Sequence, residues 1–259
     1  MAEFSPSKRV VISPDAGTLA SSVAARLLDR VAKRTSEGRT VHVALTGGAI
    51  GTKVLEAAGS DPVRESIDWG RVHFWWGDER FVPRSSPERN EYGARRGLLD
   101  RIAVPSENIH SPAAADEGLD LDEAAARYAS ELARFGRDGQ AWPSFDICFL
   151  GVGADGHIAS LFPDRPEIQV RDHAVVPVRD SSHPPAERIS LTRPVLNSSK
   201  RVWMVVCGTD KASALGLALA GASYETVPAA GAKGRKRTIL FVDTDAATDV
   251  PPELIDPDY

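Results

Sequence analysis

Short apolar runs alternate with segments of helical spacing along this chain, and that alternation leaves few architectures open to it. The run 10–14 reads as a first strand. Over 19–37, Leu19, Val23, Leu27 and Val31 recur at helical spacing, and the segment stops at Gly38. "TVHVALTGG" is a strand entering a glycine turn, "AIGTKVLEAAG" a short helix, and "RVHFWWGDER" a strand ending in charge. Helices are expected over 90–102 and 121–135. The second half repeats the rhythm. "FDICFLGVG" and "RVWMVVCG" are strands, "AVVPV" and "ERISLT" shorter ones, "TDKASALGLALAG" a helix and "RTILFVD" a last strand. Such a sequence specifies an α/β fold whose mostly parallel sheet is covered on both faces.

A chain of 259 residues suits one large α/β domain or two small ones. No repeat or low-complexity linker divides it, and 84–88 and 179–185 read as loops, so a single domain over 1–259 is expected, with loose ends near 1–8 and 248–259. The net charge of −5 provides no basic field for nucleic acid, so an anionic ligand must be met by a local cluster. The basic run 233–237 reads as a solvated loop. "MAEFSPSKRV" lacks the apolar core of a signal peptide, and no run approaches a membrane span, so the expected location is the cytoplasm. Cys148 and Cys207 lie in apolar strands without CxxC spacing and read as buried core thiols. Phe74, Trp75 and Trp76 read as core and pocket wall.

Several strands end in chemistry. "VHVAL" delivers Thr46, Gly47 and Gly48; "VHFWW" delivers Gly77 and then Asp78, Glu79 and Arg80; "FDICFL" delivers the stretch from Gly151 to His157. The carboxyl ends of parallel strands share one rim where ligands bind, so these distant motifs are expected to converge. Within "FLGVGADGHIASLFP", Gly151, Gly153 and Gly156 have the spacing of a dinucleotide-binding turn. That turn must open a full helix, yet Pro163 follows within two turns, and Asp172 precedes the next strand instead of ending it. The dinucleotide reading fails. The glycines are assigned to a tight strand-to-helix turn, which hands His157 to the substrate as a residue able to take and return a proton near neutral pH. Asp155 either caps backbone N–H groups or orients substrate hydroxyls.

Thr46, Gly47 and Gly48 precede a helix, whose free N–H groups suit a small phosphate; the Walker order is absent. Arg80 is a candidate for bidentate phosphate binding or oxyanion stabilisation, with Arg188 and Lys211 as further cations. No paired Cys/His spacing or HExxH occurs, and the remaining histidines are scattered, so no metal site is expected.

At these residues the chain resembles the glucosamine-6-phosphate isomerase/6-phosphogluconolactonase family, through "LTGGAIG", "WWGDERFVP", "FDICFLGVGADGHIASLFP" and "ERISLTRPVLNSSKRVWMVVCGTDKASAL". The resemblance spans about 10–247 and favours the lactonase branch. It implies a three-layer αβα fold with a Rossmann-like, mostly parallel sheet. It also implies a cofactor-independent hydrolase of the oxidative pentose phosphate pathway, opening 6-phospho-D-glucono-1,5-lactone to 6-phospho-D-gluconate. The deaminase branch looks like DGHIAFNEP after the turn, with a catalytic glutamate where Phe162 stands here. Arg80 likewise matches the lactonase DER and replaces an aromatic residue of the deaminase pattern. Ala49 departs from a Ser common in the lactonase GGS turn, which removes one hydroxyl and leaves the backbone donors. The site expected from residues and resemblance together has His157, Asp155 and Arg80 as catalytic groups. Thr46, Gly47, Gly48, Asp78, Glu79, Arg188 and Lys211 are expected to bind substrate and phosphate, with no metal and no cofactor. The expected partner is the sugar phosphate lactone alone, without nucleic acid or membrane, bound by a monomer or at most a weak homodimer. A deaminase-like aldose–ketose isomerase and a non-catalytic sugar-phosphate regulator are the alternatives. A nicotinamide oxidoreductase is disfavoured by the interrupted helix after Gly156.

Overall fold

A computed structural model of the chain describes residues 8–137 and 139–256. The first half contains β1 (Lys8–Ser13), α1 (Ala16–Ser36), β2 (Val41–Leu45), α2 (Gly48–Ser60), β3 (Val72–Trp76) and β4 (Asp78–Arg80). It continues through α3 (Asn90–Gly97), β5 (Ile109–His110) and α4 (Leu121–Arg134). The second half contains β6 (Ile147–Leu150), β7 (Val175–Val178), β8 (Arg188–Leu191), α5 (Arg193–Asn197), β9 (Arg201–Val206), α6 (Ala212–Leu219) and β10 (Arg237–Asp243).

Seven strands form one parallel sheet in the order β1-β10-β9-β6-β2-β3-β5. Alternate residues feed opposite cores. Val43, Leu45, Phe74, Trp76 and Phe149 pack with Leu27 and Val31 of α1 and Val54 of α2. Their neighbours Ala44, Trp75, Cys148 and Leu150 pack with Tyr128 and Leu132 of α4 and Leu215 of α6. Burial on both faces is why these strands read as continuous apolar runs, and it gives the three-layer α/β arrangement. A fully buried leucine such as Leu27 contributes roughly 1.5–3 kcal/mol to this layering. The helix ends are set locally. Asp15 accepts the N–H groups of Gly17 and Thr18 at the start of α1, and Asp120 and Glu123 form a capping box on α4.

Four details depart from the sequence reading. The run "RVHFWWGDER" is broken at Gly77, whose N–H donates to Leu45 O and whose carbonyl accepts from Leu191 N. Beyond it, β4 joins a separate antiparallel sheet, β4-β8-β7. The third helix ends at Gly97 because this residue packs against Gly59 of α2 and Leu98 leaves helical geometry. No helix follows Gly156: the chain turns through 154–161 around an isolated Ile158–Leu161 bridge, with Ala159 in the left-handed region. The tail 249–256 is docked on β1, where Asp256 N donates to Val10 O and the Asp256 carboxylate pairs with Arg9. The expected loose ends at 1–7 and 257–259 lie outside the described residues. Among the described residues, no helix is long and apolar enough to cross a membrane.

The topology fixes where a site can form. From β2 the chain runs outward to β3 and β5, whereas from β6 it runs the other way to β9. The adjacent pair β2 and β6 is therefore the switch point, and a crevice opens beyond their carboxyl ends.

Candidate active site

At that crevice lies a cleft of about 490 Å³. Its wall brings together Thr46, Gly47 and Gly48 after β2, Asp78 and Arg80 of β4, His157 beyond β6, Arg188 of β8 and Lys211 beyond β9. A hydrogen bond from Gly151 N to Thr46 Oγ1, at 3.3 Å, ties the two central turns.

His157 is held at one nitrogen. Its Nδ1 lies 2.6 Å from Asp155 Oδ1, and the same oxygen accepts the His157 backbone N–H at 3.1 Å. A Cβ on residue 153 would overlap both side chains, so Gly153 is what lets the pair fold back over the turn. Partial burial pushes the Asp155 carboxyl up, but the His157 hydrogen bond and charge outweigh it and hold the group well below the usual carboxylate range. An ionised Asp155 keeps the imidazole proton on Nδ1. His157 Nε2 has no hydrogen-bond partner among the described residues, which leaves a lone pair free on a residue that lines the cleft.

The turn after β2 and two arginines line the same cleft as this imidazole. Helix α2 starts at Gly48 with no side-chain cap from Gly47, so its first-turn N–H groups are offered to the cleft. Arg80 and Arg188 are directly opposite each other across the β4–β8 ladder. Like charges so placed repel, and neither guanidinium lies within ion-pair distance of a carboxylate among the described residues. Carbonyl oxygens hold them instead: Glu88 O accepts from Arg80 Nη1 at 2.7 Å, and His183 O accepts from Arg188 Nη2 at 2.8 Å. Burial pulls Arg188 below its usual value; Asp78 opposes the shift and Arg80 adds to it. Two converging guanidiniums with carbonyl partners form a site that an anion would relieve. Asp78 is buried, accepting from Ser160 Oγ at 2.7 Å, yet it reaches the cleft wall. Lys211 lies at the rim, paired with Asp210.

Glu79, expected to bind substrate, does not reach the cleft. Its carboxylate is fully buried and accepts the N–H groups of Arg80, Asn90 and Glu91 at 2.6–2.8 Å. Alternation along β4 turns it away from Asp78 and Arg80, and it caps α3, whose N-cap Arg89 supplies no side-chain bond. Burial pushes its carboxyl up to about 7, against the pull of Arg89 and these donors. Trp75 and Trp76 are core residues and line no part of the cleft. Cys207, read as core, is only partly buried and belongs to the cleft wall, because it follows the last residue of β9; burial and Asp243 push its thiol up.

Asn90 and His183 also line the cleft and were not foreseen. The Asn90 side chain fills the space above Gly47 and donates to Asp78 O at 2.8 Å; a Cβ at position 47 would collide with it. His183 places Nε2 3.4 Å from Asp155 Oδ2. The place of Asn90 at the start of an expected helix was the one local hint; for His183 there was none.

The family model described as glucosamine-6-phosphate isomerases/6-phosphogluconolactonase matches residues 14–241. The chain belongs to that family. Among its relatives is the 6-phosphogluconolactonase of Streptomyces coelicolor, 41% identical over 98% of this chain and 99% of the relative. The 6-phosphogluconolactonase of Mycobacterium tuberculosis is 40% identical over 95% and 99%. The solved 6-phosphogluconolactonase of Thermotoga maritima superposes with a TM-score of 0.78 at 28% identity, covering 92% of this chain and all of that one. A monomeric glucosamine-6-phosphate deaminase shares the fold at a TM-score of 0.75 and 19% identity. Beside the cleft, the buried Phe162 ring packs against His157 with centroids 4.7 Å apart, at the position where the resemblance implied a glutamate for the deaminase branch. Phenylalanine moves no protons.

Proposed function

We propose that the cleft hydrolyses 6-phospho-D-glucono-1,5-lactone to 6-phospho-D-gluconate, with His157 as the general base. The substrate and reaction rest on relatives about 40% identical over nearly their whole length. The mechanism rests on one observation: an imidazole fixed by a carboxylate at Nδ1, with Nε2 free among the described residues, stands in a cleft that also gathers Arg80, Arg188 and an uncapped helix start.

The substrate phosphate lies against the turn 46–48 and Arg188, with Lys211 adding positive charge at the rim. Asp78 accepts a hydrogen bond from a sugar hydroxyl. His157 Nε2 takes a proton from water as its oxygen attacks the lactone carbonyl, and Asp155 stabilises the imidazolium. Arg80 and nearby backbone N–H groups meet the oxyanion of the tetrahedral intermediate. When the intermediate collapses, the bond to the ring oxygen breaks and the imidazolium returns the proton to that oxygen. Every step uses this chain's residues and water. The same reading has the enzyme working in the cytoplasm as a single-domain monomer, or at most a weak homodimer.

The test is to generate the lactone with glucose-6-phosphate dehydrogenase and follow acid release with and without the chain. Release faster than spontaneous opening supports the reading. Equal rates at micromolar protein would remove it.

A further inference from the structure

Asp155 is shared. Besides His157 on one oxygen it has His183 near the other, at 3.4 Å, and the two imidazole centroids are 5.1 Å apart. The ligand-capable atoms of Asp155, His157 and His183 all lie within 4.8 Å of one another. They come from two segments, the glycine turn after β6 and the loop before β8, and the His183 backbone is pinned. Ser181 Oγ accepts its N–H, and its carbonyl accepts from Arg188 Nη2. Two imidazoles and one carboxylate converging from one side, with open cleft on the other, are the donor set of a borderline divalent transition ion with an open position. Ligand atoms around tetrahedral zinc stand roughly 3.3 Å apart for metal–nitrogen bonds near 2.0–2.1 Å. The His157–Asp155 pair, at 2.6 Å, must open as the ion displaces their shared proton, while the half-exposed His183 side chain swings in by rotation.

We propose that Asp155, His157 and His183 form a reversible capture site for Zn²⁺ or a similar ion, and that capture switches the hydrolase off. The inhibitory half rests on the lactonase reading above; the binding half does not. A neutral imidazole whose Nδ1 lone pair is given to a metal carries its proton on Nε2. Nε2 is the atom that must accept the proton of water, so the metallated ring is the wrong tautomer for catalysis. The site also lacks the support of a resident metal centre. His183 Nδ1 has no hydrogen-bond partner among the described residues, and the carboxylate that would orient His157 is itself consumed as a ligand.

The experiment uses the full chain, stripped with a chelator and titrated with Co²⁺ while ligand-field absorption is recorded. In parallel, Zn²⁺ is titrated into the lactone assay. One equivalent of Co²⁺ is expected to develop the spectrum of a nitrogen–oxygen site, and Zn²⁺ to inhibit in a way that chelator reverses. Losing even an outer-shell partner weakens metal sites by about 10–100-fold, so His183→Asn should lose at least tenfold in affinity for both ions. Its own activity in chelator is the reference against which Zn²⁺ inhibition of that variant is measured. His173→Asn, which removes an exposed histidine beside Asp172, should change neither titration. The proposal falls if no Co²⁺ spectrum appears, if His183→Asn binds or is inhibited like the parent, or if His173→Asn weakens binding equally. Co²⁺ binding without Zn²⁺ inhibition, or Zn²⁺ acceleration, would overturn the switch. A chain with no lactonase activity would still give or fail to give the spectrum, which separates this result from failure of the assigned function.

Discussion

Histidines within the sheet and the histidine beyond its strand ends have opposite fates. His42, His73 and His110 sit on β2, β3 and β5, and their rings stack across the strands, His42 on His73 at 4.9 Å and His73 on His110 at 5.3 Å. One nitrogen each of His42 and His73 and both of His110 are engaged: Trp75 Nε1 donates to His42 Nδ1, His73 Nδ1 meets His110 Nε2 at 3.0 Å, and His110 Nδ1 meets Glu131 at 2.9 Å. Burial lowers all three, His42 to about 3 and His110 to about 4. His157 lies past the strand ends with one nitrogen held and one free. What sets His157 apart is its company: the sheet histidines face one another, whereas His157 is held by a carboxylate in the cleft that gathers Arg80 and Arg188.

The contrast gives a graded set of tests. His157→Asn is expected to lower kcat by ~10²–10⁴-fold while the thermal midpoint barely moves, which paired assay and melting curves will show. Next come the guanidiniums. A hydrogen bond to a charged group is worth ~1.5–3 kcal/mol, so Arg188→Met should raise KM by about 10–100-fold. Arg80→Met should act chiefly on kcat, and the split between the two parameters decides how phosphate and oxyanion duties are divided. A reversed split would exchange the two assignments.

Glu79→Gln, beside both cleft residues of β4, belongs on the structural side of the comparison. Turning an amide toward three backbone donors should cost about 1–3 kcal/mol in denaturant melts, with turnover per folded molecule retained. A loss of kcat at full stability would return Glu79 to the site. The last effect is absent at neutral pH and concerns acid. The His42 imidazole titrates near 6.5 in the unfolded chain and near 3 in the fold, because burial and then His73, His110, Arg137 and Lys200 oppose its charge. Between those values the unfolded state binds the extra proton, so this contribution is whole above pH 6.5 and declines as pH falls. His42→Gln keeps an acceptor for Trp75 and takes up no proton. Its stability curve below pH 6.5 should therefore be flatter by up to ~1.4 kcal/mol per pH unit. Curves of equal slope would show that His42 already titrates normally in the fold.

What was legible in the sequence follows from the same physics. Strands buried on both faces announce themselves as apolar runs, so "VHVAL", "FDICFL" and "RVWMVV" were readable, and the rule of strand ends then placed Thr46, Arg80 and His157 on one rim. The second sheet was not readable, because β4, β7 and β8 are three or four residues long and pair only through tertiary contacts. Glu79 was misassigned for a related reason. Adjacent residues of a strand point to opposite sides, and the charged triplet carries no mark of which side meets solvent. His183 stands 26 residues after His157 in an irregular loop, and only the β7–β8 hairpin carries it back to Asp155.

Direct observation of the His157 tautomer tests the central idea. In ¹⁵N-labelled, metal-free protein near neutral pH, long-range ¹H–¹⁵N correlation of the imidazole resolves which nitrogen is protonated. A protonated Nδ1 beside Asp155 and a bare Nε2 are predicted, with that pattern disturbed in Asp155→Asn. A proton resting on Nε2 in the wild-type protein would contradict the account, since no lone pair would then be available to receive one from water.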